Sequence, residues 1–235
     1  MDFDVRLAEQ LLRGETGPTV RVYGWKPWAI SRGHHQSDSD IDSKKCEEYG
    51  FDIVRRPTGG RAILHANEVT YSVVMPANDK GITEIYSMIS RALVNGLKTL
   101  CPAVSYETSQ PNFASLYKRQ ESIPCFSSSA RYEVQINGKK LVGSAQRRFS
   151  RDGTEVVLQH GSILLGPEHR LLTEVLHLSS DDVKKKIAED IDQKTVDLST
   201  AMNRTVTFDE TVEAILAGFR NELGIRFEHL GKVSV

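Results

Sequence analysis

The sequence predicts an α+β fold with a large mixed, mostly antiparallel β-sheet flanked by helices. Strand-like segments dominate the first two thirds of the chain, and helical patterns dominate from Pro167 onward. This order differs from the regular alternation of strands and helices that is typical of a parallel sheet. The dipeptides Asn137-Gly138 and Asp152-Gly153 are typical of two-residue hairpin turns, which join antiparallel neighbours. Because 235 residues can form one large core, we expect a single domain over residues 1–235.

Apolar spacing and turn residues locate the elements of the N-terminal half. Helices are predicted at residues 3–13 and 40–49, and strands at residues 19–25, 28–33, 51–56, 62–65 and 69–75. The strand at 28–33 is expected to pair with the strand at 19–25 across Lys26-Pro27. The segment from Pro57 to Arg61 contains two glycines and is expected to be a sharp turn that makes a hairpin of its flanking strands.

The C-terminal half begins with the strongest helical pattern of the chain, at residues 83–100. Ile85, Ile89 and Leu93 recur there at helical spacing and form one apolar stripe. A meander of three strands follows, joined by the two hairpin turns. Further helices are predicted at residues 168–177, 181–190 and 209–223, and a short strand at residues 224–228.

Composition argues against several classes of protein. The chain has 30 Lys and Arg, 31 Asp and Glu and a net charge of -1, so we expect neither nucleic acid nor membrane as a partner. No run approaches the roughly 20 apolar residues of a spanning helix, and the N-terminus lacks a secretory pattern, so a cytoplasmic location is expected. Cys46, Cys101 and Cys125 are odd in number and form no CxxC motif. This pattern argues against a disulfide framework or a zinc site, and no metal or cofactor is predicted.

Cys125 and Lys140 are candidate catalytic residues, because a thiol beside an ammonium suggests acyl transfer through a thioester. A free thiol is only a few per cent thiolate at pH 7, so a nucleophilic cysteine needs a group that stabilises the anion. An ammonium about 4 Å away contributes on the order of 4 kcal/mol at an effective dielectric near 20. The residues alone leave open the alternative that Cys125 is a buried apolar residue and Lys140 a solvent-facing one.

Strand alternation predicts which residues of the meander line a site. One face would carry Lys140, Val142, Ser144 and Gln146, and the other Lys139, Leu141, Gly143 and Ala145. The first face is expected to line the site, and the second to pack under a helix. Gly143 lacks a side chain, and glycines inside strands often mark the close approach of a ligand or another backbone.

Two further features have both a functional and a structural interpretation. The loop from Arg55 to Arg61 has the charge and backbone freedom to bind an anion or an acyl adenylate, but a Gly-Gly pair is also typical of a simple turn. It lacks the GxxxxGK[ST] pattern of a P-loop. His65 and His160 are either proton shuttles or hydrogen-bonded core residues.

Four segments together resemble a known family. Residues 55–65 (RRPTGGRAILH), followed by Glu68-Val69-Thr70-Tyr71-Ser72, resemble the RRxTGGRAxLHxxExTYS signature of the lipoate protein ligase and octanoyltransferase family. Residues 30–36 (ISRGHHQ), 140–146 (KLVGSAQ) and 159–162 (QHGS) resemble its SxGxxQ, KxxGSAQ and QHGS strands, in the family order. This combination is far more specific than any one segment.

The resemblance implies the biotin and lipoate protein ligase catalytic-domain fold and a place among its acyltransferases. Ligases usually carry a third glycine where this chain has Arg61, and Pro124-Cys125-Phe126 matches the acyl-accepting cysteine of the LipM-type octanoyltransferases. The implied catalytic residues are Cys125 and Lys140. The implied substrate-binding residues are Arg56, Thr58, Gly59, Gly60, Arg61, His65, Gly143, Ser144, Ala145, His160, Gly161 and Ser162. Ile63, Val73 and Val142 are expected to line the acyl tunnel.

The implied reaction moves an octanoyl group from octanoyl acyl carrier protein to Cys125 and then to a lysine of a lipoyl domain. Expected acceptors are the glycine-cleavage H protein and the acyltransferase subunits of 2-oxoacid dehydrogenases. Because these partners are acidic in the family, Arg55, Arg56, Arg147 and Arg148 are expected to guide docking. Three alternatives stay open: an ATP-dependent lipoate protein ligase, an amidotransferase between lipoyl domains, and a non-catalytic protein that binds lipoyl domains.

Overall fold

A computed structural model describes residues 1–106 and 133–228 of the chain. The helices in these ranges are α1 (Asp2–Leu12), α2 (Ser43–Tyr49), α3 (Ile82–Leu97), α4 (Asp181–Lys194), α5 (Leu198–Met202) and α6 (Phe208–Leu223). The strands are β1 (Thr19–Tyr23), β2 (Ala29–Arg32), β3 (Asp52–Arg55), β4 (Ile63–His65), β5 (Glu68–Pro76), β6 (Val104–Tyr106), β7 (Val134–Ile136), β8 (Lys139–Arg151) and β9 (Thr154–Leu164). Short 3-10 helices occupy Asp38–Asp40 and Pro167–Val175.

The strands form two sheets. The large sheet has six strands in the order β1-β5-β9-β8-β7-β6, and every neighbouring pair in it is antiparallel. The small sheet has the order β3-β2-β4, with β2 parallel to β3 and antiparallel to β4. The α+β class and a large, mostly antiparallel sheet are confirmed, and the parallel pair lies in the small sheet rather than in the large one.

Helices cover both faces of the large sheet. On one face, α3 and α6 pack over the main apolar core, which includes the fully buried Ile85, Leu93 and Phe219. On the other face, Ala8 of α1 packs against Val74 and Leu158. None of the helices in the described ranges is long and apolar enough to cross a lipid bilayer.

The small sheet has an apolar cluster of its own. Ile30 and Leu64 from its strands pack against Leu172 and Val175 of the second 3-10 helix. The cluster fixes the small sheet against the C-terminal helical region. It thereby holds the loop after β3, residues 56–61, beside the polar side chains of the large sheet.

The structure corrects several sequence predictions. The strand at 28–33 does not pair with the strand at 19–25, because β1 joins β5 in the large sheet while β2 pairs with β3 and β4. The segment 57–61 does not make a hairpin, because β2 lies between β3 and β4. Helix α2 begins at Ser43, where Asp42 rather than Asp40 accepts the capping hydrogen bonds. Residues 224–228 form no strand, and β6 was not predicted.

Both predicted hairpin turns are confirmed. Asn137 and Gly138 have φ values of 49° and 78°, and Asp152 and Gly153 have φ values of 49° and 80°. Positive φ at both central residues is typical of a type I′ turn, whose backbone twist matches that of the two flanking strands. Across the first turn, Ile136 faces Lys139 and Gln135 faces Lys140.

Candidate active site

A cleft that opens to solvent lies between the small sheet and one face of the large sheet. The lining residues are Met1, Arg56, Ile63, His65, Thr70, Gly143, Ser144, Ala145, His160, Gly161 and Ser162. Eight of the predicted site residues therefore line a single cleft, although they come from three separate segments of the sequence: Arg56, His65, Gly143, Ser144, Ala145, His160, Gly161 and Ser162.

The register of the large sheet explains how these segments meet. Ser162 of β9 lies opposite Thr70 of β5 on one side and opposite Gly143 of β8 on the other. His160 likewise lies opposite Ala145. Directly opposed residues point to the same face of an antiparallel sheet, so the side chains of these residues share the cleft face.

The opposite face of the large sheet, which packs against α3, carries a second set of hydrogen-bonded polar side chains. The hydroxyl of Tyr71 lies 2.7 Å from Oγ of Ser144 and accepts a hydrogen bond of 3.2 Å from Nε2 of Gln159. Nε2 of Gln146 donates to Oε1 of Gln159 at 3.0 Å. Burial raises the pKa of Tyr71 to about 12, so this hydroxyl stays protonated. Ser144 and Gln146 are thus tied to the buried polar layer under α3.

Gly161 permits the close packing between these two faces. A Cβ at this position would lie 2.4 Å from the carbonyl oxygen of Gly143, 2.8 Å from a ring carbon of Tyr71 and 2.9 Å from Oγ of Ser144. Contacts this short with backbone do not occur in folded proteins. A residue without a side chain is therefore required where β5, β9 and β8 run past the cleft.

His160 is an uncharged imidazole at the cleft wall. Its Nε2 is hydrogen-bonded to Oγ1 of Thr58 at 2.6 Å, whereas its Nδ1 is buried without a partner among the described residues. Burial, with a smaller contribution from the nearby charge of Arg56, lowers the pKa of His160 to about 3. Because neutral His160 cannot act as a cation, it is suited to lining an uncharged ligand and to making directional hydrogen bonds.

Arg56 and Glu68 form a buried charge pair bridged by two other side chains. Nη1 of Arg56 donates to Oγ of Ser31 at 3.2 Å, and this oxygen lies 2.7 Å from Nε2 of His65. Nδ1 of His65 lies 2.7 Å from Oε1 of Glu68. A carboxylate only accepts, so Nδ1 donates to Glu68. The four side chains form one continuous hydrogen-bonded path through the buried wall of the cleft.

Glu68 connects this hydrogen-bonded path to the large sheet. Its Oε1 also accepts hydrogen bonds from Oγ1 of Thr70 at 2.6 Å and from Oγ of Ser162 at 2.9 Å. The indole of Trp25 donates to Thr70 at 2.8 Å and stacks on His65 with 4.4 Å between ring centroids. The cleft wall is therefore held rigidly by buried hydrogen bonds from both sheets.

The loop from Pro57 to Arg61 is shaped by the Arg56 guanidinium. Arg56 donates to the carbonyl oxygens of Gly59 at 3.1 Å and of Arg61 at 2.6 Å. Gly60 has a φ of 97° and packs against Gly33, where an added Cβ would lie 1.9 Å from the Gly60 carbonyl oxygen. The two predicted glycine-bearing segments, 30–36 and 55–61, thus contact each other through their backbones.

A bulge in β8 changes the predicted position of Lys140. Gln135 lies opposite Lys140 but Val134 lies opposite Val142, so Leu141 is an extra residue in β8. Because adjacent residues of β7 point to opposite faces, Lys140 and Val142 do so as well. The prediction that Lys140 shares a face with Val142, Ser144 and Gln146 is therefore wrong. Lys140 lies on the cleft face, together with Gly143 and Ala145.

Lys140 is near the cleft but is not among the residues that line it. It lies three residues from Gly143, or roughly 10 Å along the strand. Its Nζ is 2.5 Å from Oε1 of Glu133, and both side chains are buried. Lys139, by contrast, is exposed and donates to the carbonyl oxygen of Asp192. Cys125 lies outside the described residues.

Other predicted roles are corrected by burial. Arg56 is only 3% exposed and cannot contact a docking partner. Arg55 is paired with Asp38, Arg148 is paired with Glu155 at 2.7 Å, and Arg147 is exposed, so the docking role of these three arginines stays a prediction. Val73 and Val142 pack into the core under α3, so of the three predicted tunnel residues only Ile63 lines the cleft.

Several residues of the site were not predicted as site residues. These are Ser31, Trp25, Glu68 and Thr70. His65 ends β4 and Glu68 begins β5 three residues later, so their short spacing in the sequence indicates that they can pair. No local pattern places Trp25 or Ser31 beside them. In the described ranges, no group of three or more His, Cys, Asp or Glu side chains is arranged to hold a metal ion.

Comparisons with known proteins place this geometry in a family. The model of the lipoyl protein ligase A/B catalytic domain matches residues 1–220. The octanoyltransferase LipM of Kyrpidia tusciae is 39% identical over 221 residues, which cover 92% of this chain and 79% of that protein. The octanoyltransferase LipM of Geobacillus kaustophilus is 37% identical and covers 96% of this chain and 84% of its own.

Solved structures agree on the fold. The bipartite lipoate protein ligase of Thermoplasma acidophilum superposes with a TM-score of 0.72 at 23% identity, covering 97% of this chain and 81% of that one. A lipoate-protein ligase A bound with ATP gives a TM-score of 0.71 at 23% identity, covering 96% of this chain and 83% of that one. The chain therefore belongs to the lipoyl protein ligase A/B catalytic domain family, and it is an acyltransferase.

Proposed function

We propose that this chain is an octanoyltransferase of protein lipoylation that moves an octanoyl group from octanoyl acyl carrier protein, through a thioester on Cys125, to a lysine of a lipoyl domain. The observation that carries the proposal is the cleft itself, which brings the loop after β3, the Gly143–Ala145 segment and the His160–Ser162 segment onto one wall. Relatives at 37–39% identity over most of the chain carry the octanoyltransferase name.

The lining of the cleft suits an uncharged acyl chain. Ile63 and Ala145 are apolar, and Gly143 and Gly161 present only backbone. His160 is neutral at physiological pH because burial holds its pKa near 3. The Arg56 guanidinium is already hydrogen-bonded to Ser31, Gly59 and Arg61, and Glu68 is hydrogen-bonded to His65.

The first half-reaction exchanges one C–S bond for another, and the second exchanges a C–S bond for the C–N bond of an amide. The Cys125 thiolate attacks the carbonyl carbon of the donor thioester, and the carrier leaves as a thiolate that takes up a proton. The uncharged amine of the acceptor lysine then attacks octanoyl-Cys125, loses a proton and releases the Cys125 thiolate. Lys140 would stabilise the Cys125 thiolate both when it attacks the donor and when the second step releases it, because the Lys140 ammonium lies on the cleft face of β8.

The edge of β8 beyond β7, which no strand of the described ranges covers, offers a donor for the oxyanion that forms in both steps. The carbonyl oxygen of Ser144 accepts a hydrogen bond of 3.4 Å from the Tyr86 hydroxyl, so it points away from β9. The N–H and C=O of one strand residue point to the same side. The Ser144 N–H therefore points to the same edge, where a developing negative charge on the acyl oxygen would be stabilised.

An ATP-dependent lipoate protein ligase is the main alternative. It would place an acyl adenylate at the loop from Pro57 to Arg61. Two features favour the transferase: Arg61 stands where ligases usually carry a third glycine, and the Arg56 guanidinium is already bound by the carbonyl oxygens of Gly59 and Arg61. An amidotransferase that takes octanoyl from one lipoyl domain to another would use the same thioester chemistry with a different donor.

Intact-mass measurement after incubation with octanoyl acyl carrier protein tests the proposal. We expect one octanoyl adduct that hydroxylamine removes and that Cys125→Ala abolishes. Cys46→Ala and Cys101→Ala are matched controls that keep the adduct, because both thiols are buried and burial raises the pKa of Cys46 to about 11. Addition of a lipoyl domain should move the octanoyl group to one of its lysines.

Three results would contradict the proposal. Modification of a lipoyl domain with free lipoate and ATP, retained by Cys125→Ser, would identify a ligase. Use of octanoylated glycine-cleavage H protein as donor, without any use of octanoyl acyl carrier protein, would identify an amidotransferase. A protein that binds lipoyl domains but gives no adduct and no product under either condition would be a binding protein.

A further inference from the structure

A row of four side chains crosses the cleft face of the large sheet beside α1. Arg21 of β1 lies opposite Ser72 of β5, Ser72 lies opposite His160 of β9, and His160 lies opposite Ala145 of β8. Directly opposed residues point to the same face, so these side chains are neighbours. His160 and Ala145 line the cleft, whereas Leu158, next on this face of β9, is packed in the core. The row therefore marks one end of the cleft.

The first turn of α1 covers this end. Ala8 packs against Leu158, one row further along β9. Asp4, one helical turn before Ala8, is fully buried and forms an ion pair with Arg21 of the row. Met1, the N-cap residue of α1, is itself among the residues that line the cleft. The helix thus closes the cleft over the row.

Two polar atoms in the row are buried without a hydrogen-bond partner among the described residues. These are Oγ of Ser72 and Nδ1 of His160, and the two residues are 1% and 3% exposed. In the neighbouring row, by contrast, the hydroxyls of Thr70 and Ser162 both donate to a buried carboxylate. A buried polar atom without a partner is costly, so two such atoms on directly opposed residues indicate a site for a polar atom of a ligand.

This polar end of the cleft is remote from Lys140. Ala145, in the row, lies five residues along β8 from Lys140, or roughly 17 Å. Gly143 lies between them on the same face and also lines the cleft. An acyl chain whose carbonyl group reacts near Lys140 would therefore extend along β8 past Gly143 and point its far end toward the row.

We propose that Ser72 and His160 form a polar end subsite, which accepts a terminal hydroxyl group of an acyl chain and disfavours a terminal methyl group. This inference rests on the proposed function and adds hydroxyl-terminated acyl chains to its substrates. A hydroxyl group both donates and accepts, so it can pair with Oγ of Ser72 and with Nδ1 of either neutral tautomer of His160. A methyl group that reaches the subsite leaves both atoms unpaired, which limits the length of unsubstituted chains.

Pairs of donors with equal chain length test the inference. Acyl carrier protein is loaded with unsubstituted chains of eight, ten and twelve carbons and with their ω-hydroxy counterparts, and kcat/KM is measured for transfer to a lipoyl domain. At the length that reaches the subsite, we expect the wild-type protein to prefer the ω-hydroxy chain by about tenfold. This is a small part of the discrimination found in sites built to bind a substrate hydroxyl.

Two variants connect this preference to the subsite. Ser72→Ala removes one of the two hydrogen-bonding partners, and we expect the preference for the ω-hydroxy chain to fall at least threefold. Ser105→Ala is the matched control, because Ser105 lies in β6 at the far edge of the same sheet. It should keep the wild-type preference.

The outcomes separate this inference from the proposed function. A wild-type protein that prefers the unsubstituted chain at all three lengths, or shows no preference, would overturn the inference without the use of any variant. If Ser72→Ala slows both members of each pair equally and leaves their ratio unchanged, Ser72 is only structural and the inference is wrong. Transfer of octanoyl in the same assays would leave the proposed function intact, whereas failure of the wild-type protein with every donor would remove both.

Discussion

Oγ1 of Thr58 lies 2.6 Å from Nε2 of His160, a residue 102 positions later in the chain. This hydrogen bond joins the loop after β3 to β9 in the large sheet, and so it ties the two sheets together at the cleft. Both side chains are buried, at 1% and 3% exposure. The contact holds a neutral imidazole at the wall of a site that we propose binds an acyl chain.

The burial of His160 predicts a loss of stability in mild acid. Its pKa is about 3 in the folded protein and about 6.5 in an unfolded chain. The unfolded state therefore binds the extra proton first as the pH falls, and stability is lost between about pH 6.5 and pH 3. At pH 5 this loss amounts to about 2 kcal/mol relative to pH 7. Denaturant titrations at the two pH values measure it.

The variant that tests this pH effect is His160→Gln. His160→Gln is less stable than wild type at pH 7 but loses less stability between pH 7 and pH 5, because no proton is taken up at this position on unfolding. Equal slopes for wild type and His160→Gln would show that His160 is not the group responsible.

Gly161→Ala tests the close packing of the three central strands. The added methyl group meets backbone and ring atoms at 2.4–2.9 Å, and we expect a loss of about 1–3 kcal/mol in the free energy of unfolding. Transferase activity should fall as well, since β8 must move away from β9 at the cleft. Gly17→Ala is the control, because a Cβ there meets nothing within 4 Å. Similar denaturation midpoints for the two variants would contradict the prediction.

Local patterns in the sequence predicted the elements well because local chemistry decides them. Asn137-Gly138 and Asp152-Gly153 require positive φ at both residues, and few other pairs adopt it at low cost. The position of the Asn137-Gly138 turn fixes the pairing of Gln135 with Lys140. The motifs that carry the family resemblance also predicted most of the residues that line the cleft.

Long-range relations were not accessible from the sequence. The pairing of β1 with β5 rather than β2 depends on which apolar faces meet in the folded core, and no local signal encodes this choice. The extra residue at Leu141 is equally hidden, because Leu141 and Val142 are both apolar and both suit the same core. A single bulge was enough to separate Lys140 from Val142, Ser144 and Gln146 and to place it on the face of Gly143 and Ala145.

Arg56→Lys tests whether the shape of the guanidinium, rather than its charge, holds the loop from Pro57 to Arg61. Arg56 donates in different directions to Ser31, Gly59 and Arg61, and a lysine ammonium cannot reproduce this planar fork. We expect a loss of about 1.5–3 kcal/mol in stability, the usual contribution of hydrogen bonds to a charged group. Octanoyl transfer should fall with it, as the loop no longer fits against Gly33.

Arg13→Lys is the control for that substitution. Arg13 pairs with Glu15 at the protein surface, where both side chains are substantially exposed and the ion pair is screened by water. Its replacement should leave the denaturation midpoint nearly unchanged. If Arg56→Lys proves equally mild, the positive charge alone is sufficient to shape the loop, and the bridged pair with Glu68 tolerates a different cation.

Lys140→Met and Lys139→Met compare two adjacent lysines that the bulge in β8 places in different surroundings. Lys140 lies on the cleft face and is buried, whereas Lys139 is exposed at the hairpin turn. We expect Lys140→Met to lower kcat for octanoyl transfer by about 100-fold or more, the usual cost of losing one charge-stabilising group, while Lys139→Met stays near wild type. Rates measured with octanoyl acyl carrier protein and a lipoyl domain decide the matter. Equal activity of the two variants would mean that the ammonium of Lys140 takes no part in the reaction. A large loss of activity in Lys139→Met alone would mean that Lys139, rather than Lys140, stabilises the thiolate.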